Sequence, residues 1–342
     1  MKKVYKGIFA LIILGIIAAF AAGLFVYITF LTPNTTKNTY IYIPTGANVE
    51  TVKDSLQAKG VIKKMTTLER AFSIKKYYLS VKPGRYYITQ GMNNNELVNM
   101  LRSGRQVPVK VTFNNIRTKE QLAGRISKYI EADSLEILNK LNDKEFLKQF
   151  GFTPDNVMAM FIPNTYEFWW NTSAEGFVKR MYREYKKFWN KDRLEKAAKI
   201  GLTPEQVMTL ASIVQAEQMQ HPEERPIIAG LYINRLRRGI PLQSDPTLIY
   251  AWGDFSIKRV YDYHKKIDSP YNTYKYAGLP PAPIITPDVS SIDAVLNYKK
   301  HNYIYMCAKD DFSGYHYFTS SLSQHNYYAR KYQQALNKLK IY

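Results

Sequence analysis

The twenty-four residues Ile8–Leu31 carry no charged side chain. As a helix rising 1.5 Å per residue, this stretch is roughly 35 Å long, enough to cross the hydrocarbon core of a bilayer. Lys2, Lys3 and Lys6 precede it, and lysines before a span predict a cytoplasmic N-terminus with everything downstream on the opposite side. A rival reading is a cleaved signal peptide, because Ala19-Phe20-Ala21 resembles a cleavage site. Leu24–Leu31 stays apolar beyond that point, which fits an anchor better. Cys307 is the single cysteine, which excludes a lipid-modified cysteine near the span, an intramolecular disulfide and a zinc cluster built from cysteines.

The anchor decides how the charge is read. The 342-residue chain has a formal net charge of +20, which by itself suggests nucleic acid, an anionic membrane surface or an acidic polymer. A single-pass protein with its bulk outside the cytoplasm disfavours nucleic acid. With 46% hydrophobic and 22% charged residues the chain is a folding one, long enough for a large and a small domain.

Thr32–Asn38 reads as a polar linker. In the module at 39–106, Tyr40–Ile43 predicts a strand, and Val49, Val52, Leu56 and Ala58 a helix ending at Gly60. A second helix is expected over Thr67–Tyr77 and a strand at Arg85–Ile88. A third helix, capped by Asn95, ends at Gly104. From 107 to 342 the pattern mixes helices with short strands at Tyr303–Ala308 and Tyr315–Thr319, closing in a helix from Ser321 to Leu339. Phe161–Tyr166 reads as a loop, and helical signals resume over Gly176–Ile200. The expected class is α+β: a transmembrane helix at 8–31 after a cytoplasmic stretch at 1–7, a linker at 32–38, a small βα module, then a larger domain.

Thr203–Gly239 is the most informative segment. Thr203 fits an N-cap, Pro204 the first helical position and Gln206 the reciprocal capping partner. Val207, Leu210, Ala211 and Val214 form a stripe at helical spacing, and Glu217 sits at its rim. A carboxyl half-buried against Leu and Ile side chains loses hydration and holds its proton longer, as a general acid must. The competing reading is a surface glutamate at a helix end. In the next helix, Glu223 and Glu224 near the start and Arg235, Arg237 and Arg238 near the end match the helix dipole and need no ligand.

Two stiff loops follow. Pro241–Thr247 presents Gln243, Ser244 and Asp245 between prolines, as a turn or as a substrate-facing loop. Tyr271-Asn272-Thr273-Tyr274 precedes the Pro-rich run Gly278–Pro283, aromatic and amide groups suited to a sugar-binding wall but equally to a core. The five histidines are scattered and offer no convincing metal-ligand cluster; no metal and no cofactor are expected.

Leu210-Ala211-Ser212-Ile213-Val214-Gln215-Ala216-Glu217, Asn234-Arg235-Leu236, Leu242–Thr247 and Tyr271–Tyr274 with Gly278-Leu279-Pro280-Pro281 together resemble the YceG-like (MltG) endolytic murein transglycosylase family. His325-Asn326 resembles its closing motif, and Ile43–Gly46, Gly60–Ile62 and Pro83–Tyr86 its LysM-like subdomain. The resemblance implies that Glu217 is the catalytic acid. The family often has another glutamate two positions earlier, where this chain has Gln215. Its Glu-Gly-Phe-Leu-Phe-Pro-Asp-Thr-Tyr loop is Met158–Tyr166 here, with both acidic positions lost, which argues against that loop as a source of a second acid.

What the resemblance implies is a membrane-bound peptidoglycan lytic transglycosylase on the periplasmic side of the inner membrane. It would break the bond between N-acetylmuramic acid and N-acetylglucosamine without water. The substrate-binding residues are expected to be Gln243, Ser244, Asp245, Tyr250, Tyr271, Asn272, Thr273, Tyr274, Leu279, Pro280 and Asn326. The implied partners are glycan strands, the lipid bilayer and peptidoglycan synthases. The basic excess would help hold the enzyme to that polymer or to the membrane surface. Two alternatives stay open: a muramidase with Asp245 as base, and a non-catalytic wall-binding scaffold.

Overall fold

A computed structural model describes residues 2–338. The chain separates into two compact units, one comprising Met1–Lys110, Tyr129–Ala132 and Glu167–Ser173, the other the remainder.

The first unit opens with helix α1 (Lys2–Val26), which runs into a wider turn over Tyr27–Leu31. The most apolar 18 residues within Val4–Leu31 have a mean hydropathy of 2.8 and none of them is buried, so among the described residues this one helix is long and apolar enough to cross a membrane. Strands β1 (Thr39–Ile43) and β2 (Gly84–Ile88) pair antiparallel, with Tyr40 opposite Tyr87 and Ile41 opposite Tyr86. Helices α2 (Val49–Ala58) and α3 (Met65–Ile74) lie between them in sequence, and α4 (Asn94–Ser103) follows. Ile41, Ile43, Val52, Leu56, Leu68, Tyr86 and Leu97 make one buried cluster. The cap of α4 is Asn93, in a reciprocal box with Glu96, rather than Asn95. Asn94 is instead buried and donates from Nδ2 to the Thr29 carbonyl at 2.8 Å, stapling the turn after α1 to this module.

β3 (Val109–Phe113) and β4 (Asn164–Phe168) form a second two-stranded ribbon. The expectation of a loop through Phe161–Tyr166 therefore gives way: the Pro163 break is brief, and Tyr166 is buried as a strand residue stacked on Phe113 at 5.7 Å. Helices α5 (Lys119–Ile126), α6 (Ser134–Asn142) and α7 (Lys144–Lys148) lie between the two strands in sequence. The helical stretch expected over 176–200 is two helices, α8 (Ala174–Phe188) and α9 (Lys191–Ile200), because Asn190 caps the second by accepting from Arg193 N.

α10 (Pro204–Glu217) is the hub of the second unit. Its start matches the sequence expectation, with Thr203 and Gln206 in a reciprocal box. Its burial does not match a one-sided stripe, since every residue from Val207 to Gln215 is buried. The reason is packing on several sides, by α9, α11 (Arg225–Arg237), α12 (Asp245–Trp252) and α13 (Val289–Leu296). The small side chains Ala211 and Ser212 allow the close approach, and Ser212 Oγ accepts from Ile284 N at 3.0 Å. β5 (Tyr305–Ala308) and β6 (His316–Thr319) pair antiparallel against α14 (Leu322–Lys338).

Candidate active site

A cavity of about 450 Å³ opens in the second unit between the ends of α10 and α11, the start of α12, and the β5–β6 ribbon. Glu217, the last residue of α10, is on its wall. The side chain is half-buried and reaches the cavity, and the loss of hydration around its carboxyl raises its pKa above the ordinary carboxylate range. Hydrogen bonds from Ser244 and Tyr232 pull the other way, and the Asp245 charge adds to the rise. Both donors converge on one oxygen: Ser244 Oγ donates to Glu217 Oε1 at 2.5 Å and Tyr232 OH at 2.7 Å. An oxygen already accepting twice is carbonyl-like, so a proton on this carboxyl belongs on Oε2.

The loop before α12 is shaped by unusual backbone and a buried cation. Gln243 has φ of +55°, a region that non-glycine residues seldom occupy. Its N–H donates to the Thr273 carbonyl at 3.0 Å, and its Oε1 accepts from Arg235 Nη1 at 3.1 Å. Arg235 corrects the sequence expectation. It is buried, and its guanidinium donates to the carbonyls of Pro241, Leu242 and Ile304 at 2.6–2.9 Å, tying the loop to the strand region and lining the cavity. A helix-end charge serving only the dipole would lie in solvent. The expected loop also ends early, because Asp245 begins α12 with Pro246 in its first turn.

The predicted binding residues divide by location. Gln243, Asp245 and Tyr274 line the cavity, and Tyr274 OH donates to Asp245 Oδ1 at 2.5 Å. Ser244 is buried beneath them, on Glu217. Asn272 and Thr273 are buried scaffold. Asn272 Nδ2 donates to the Lys265 and Ile267 carbonyls at 2.8 Å, while Thr273 Oγ1 accepts from Ser244 N at 3.0 Å. Tyr250 packs on Tyr271 at 4.6 Å and lines a separate cavity of about 130 Å³ with Gln215, Ala216 and Phe255. Leu279 and Pro280 are not among the lining residues of the larger cavity. Asn326 is exposed and also off that cavity, whereas its neighbour His325 lines it, stacked on Tyr305 at 5.2 Å.

Sequence reasoning missed Tyr232, His316 and Glu224. Tyr232 and Glu217 lie on different helices, so no spacing rule links them. By position in the sequence Glu224 is a helix-dipole charge. It is instead buried and accepts from the His316 backbone N–H at 3.1 Å, with His316 Nδ1 2.8 Å from its Oε2. The one available signal was strand alternation, which puts His316 and Phe318 on the same face.

The YceG-like family model matches residues 41–331. A Bacillus subtilis protein named endolytic murein transglycosylase is 30% identical over 87% of this chain and 86% of its own length. A Streptococcus pneumoniae protein of the same name is 27% identical over 86% of this chain, which spans 58% of that longer relative. A crystal structure of a YceG-like protein from Listeria monocytogenes superposes with a TM-score of 0.57 at 28% identity, covering 85% of this chain and 98% of that one. With the family model matched over residues 41–331 and a relative 30% identical across most of both chains, the chain belongs to the YceG-like family.

Proposed function

We propose that this chain is a membrane-anchored endolytic lytic transglycosylase. It cleaves the β-1,4 bond between N-acetylmuramic acid and N-acetylglucosamine in peptidoglycan, leaves 1,6-anhydro-muramic ends and terminates strands made by peptidoglycan synthases. The observation that carries this reading is the Glu217 carboxyl, half-buried in a cavity wall with Oε1 taken by Ser244 and Tyr232. The names of the relatives support the same chemistry.

In this mechanism the proton on Oε2 passes to the glycosidic oxygen as its bond to C1 breaks. The freed carboxylate then takes the proton of the muramic C6 hydroxyl while that oxygen bonds C1. One bond breaks, one forms, and Glu217 ends protonated, ready to act again. A hydrolase needs a second carboxylate to activate water or attack C1. Asp245, in the same cavity, supports the muramidase alternative. Gln243, Asp245 and Tyr274 hold the sugars from the cavity wall.

The β1–α2–α3–β2 arrangement supports a LysM-like wall-binding module at 39–106. Lys2, Lys3 and Lys6 ahead of the span support a cytoplasmic N-terminus with the cavity outside.

The test is mass spectrometry of products from polymeric peptidoglycan, with wild type beside Glu217→Gln. Anhydro ends with wild type and none with the variant are expected. Reducing ends would establish the muramidase, and an active variant would remove Glu217 from the chemistry.

A further inference from the structure

Besides Glu217, the cavity wall carries an imidazole held from behind by a buried carboxylate. His316 lines the cavity. Glu224 grips it with both oxygens, Oε1 on its backbone N–H at 3.1 Å and Oε2 on Nδ1 at 2.8 Å. Glu224 is only 6% exposed, and its Oε2 also accepts from Gln218 Nε2 at 2.8 Å. Gln218 directly follows Glu217. Its side chain donates to the Gly314 carbonyl at 2.9 Å and accepts from the N–H groups of Gln220 and His221 at 3.1 and 3.0 Å. Arg225 Nε donates to the Gln218 backbone carbonyl at 2.9 Å. One buried network thus sets both the end of α10 and the placement of the imidazole.

Burying a carboxylate is costly unless its hydrogen bonds are made, and a glutamate serving a helix dipole has no need of burial. Glu224 Oε2 faces Nδ1 as the acceptor, so Nδ1 carries the hydrogen, and in the tautomer with a single ring hydrogen Nε2 is left as an acceptor. Among the described residues no protein hydrogen bond is assigned to that nitrogen.

We propose that His316 contacts the substrate: Nε2 accepts a hydrogen bond from a hydroxyl or acetamido N–H of the glycan bound beside Glu217. Glu224 is the positioning residue that fixes the tautomer and aim of the ring. No covalent step passes through His316. It orients the sugar over the Glu217 carboxyl, an effect that falls on kcat more than on KM. The inference rests on this cavity being the glycan-cleaving site proposed above.

Asparagine and glutamine at 316 separate this role from a structural one. Asn keeps an N–H in the place of Nδ1, facing Glu224, and lacks anything at Nε2. Gln extends an amide oxygen towards the Nε2 position. The full chain in detergent is assayed on polymeric peptidoglycan, with melting temperature read alongside. His316→Asn should lose roughly 10–100-fold in kcat with little change in KM or melting temperature. His316→Gln should recover part of that loss, and Glu224→Gln should fall between His316→Asn and wild type. Wild-type turnover in His316→Asn overturns the proposal. So does equal impairment of both position-316 variants in step with a fall in melting temperature, which would mean the histidine only holds the fold. Glu217→Gln runs in parallel: if it still cuts, the reading of the site itself fails. If it is dead while His316→Asn is fully active, only the present inference fails.

Discussion

A carboxyl serves as a general acid only if its surroundings favour the protonated form, and at Glu217 the favouring agent is burial, opposed by two hydroxyl donors. Because the pKa is raised, the acid form persists to higher pH than for a surface glutamate and is lost as pH climbs through the folded-state value. The neighbours then set the sign of each substitution. Asp245→Asn removes a like charge that holds the pKa up, so the alkaline limb of kcat/KM should move to lower pH. Ser244→Ala removes a donor that stabilises the carboxylate, so the same limb should move to higher pH. A pH–rate series on the two variants checks both directions, and a common direction of shift would contradict the assignment. At this scale helix phase and loop chemistry offered Glu217, Ser244 and Asp245 as candidates beside a surface glutamate and a plain turn, and the family resemblance favoured the former. It could not find Tyr232, which meets Glu217 only through tertiary packing.

Among the elements, α10 and α11 place the site, and their ends were more legible than their faces. The capping box at Thr203 is written in four consecutive residues, so the helix start was readable. The all-round burial of α10 was not, because it depends on which helices pack against it. α11 shows the same limit at Gly230. A Cβ there would sit 2.3 Å from the Lys299 backbone carbonyl and 2.8 Å from His301 Nε2. The carbonyl is backbone and cannot swing aside, so Gly230→Ala should destabilise the second unit by about 1–3 kcal/mol despite alanine's better helix propensity. Thermal unfolding of the full chain reads this out, and an unchanged melting temperature would show that the 299–301 segment yields.

For the whole molecule, the span Val4–Leu31 is the strongest single constraint. Placing charges inside it is costly, about 2.5–3.5 kcal/mol for each lysine at a helix centre. The chain should therefore stay with membranes after alkaline extraction, while Ile12→Lys combined with Ile16→Lys should shift it towards the soluble fraction. Retention of that double variant would show that something other than the span holds the protein there. What the sequence determined alone is what depends on neighbours along the chain: the apolar span, the capped helices, the stiff loop before α12 and the candidate acid at the end of α10. Tertiary structure decided what depends on distant residues meeting. Arg235 became the clamp of the Gln243 loop rather than a solvent-facing helix-end charge. Glu224 became a buried partner of His316, ninety-two positions away. Asn272 and Thr273 became scaffold instead of a sugar-binding surface. The physical reason is the same each time: a polar side chain has many satisfactory partners in principle, and only the packed chain determines which one lies within hydrogen-bonding distance.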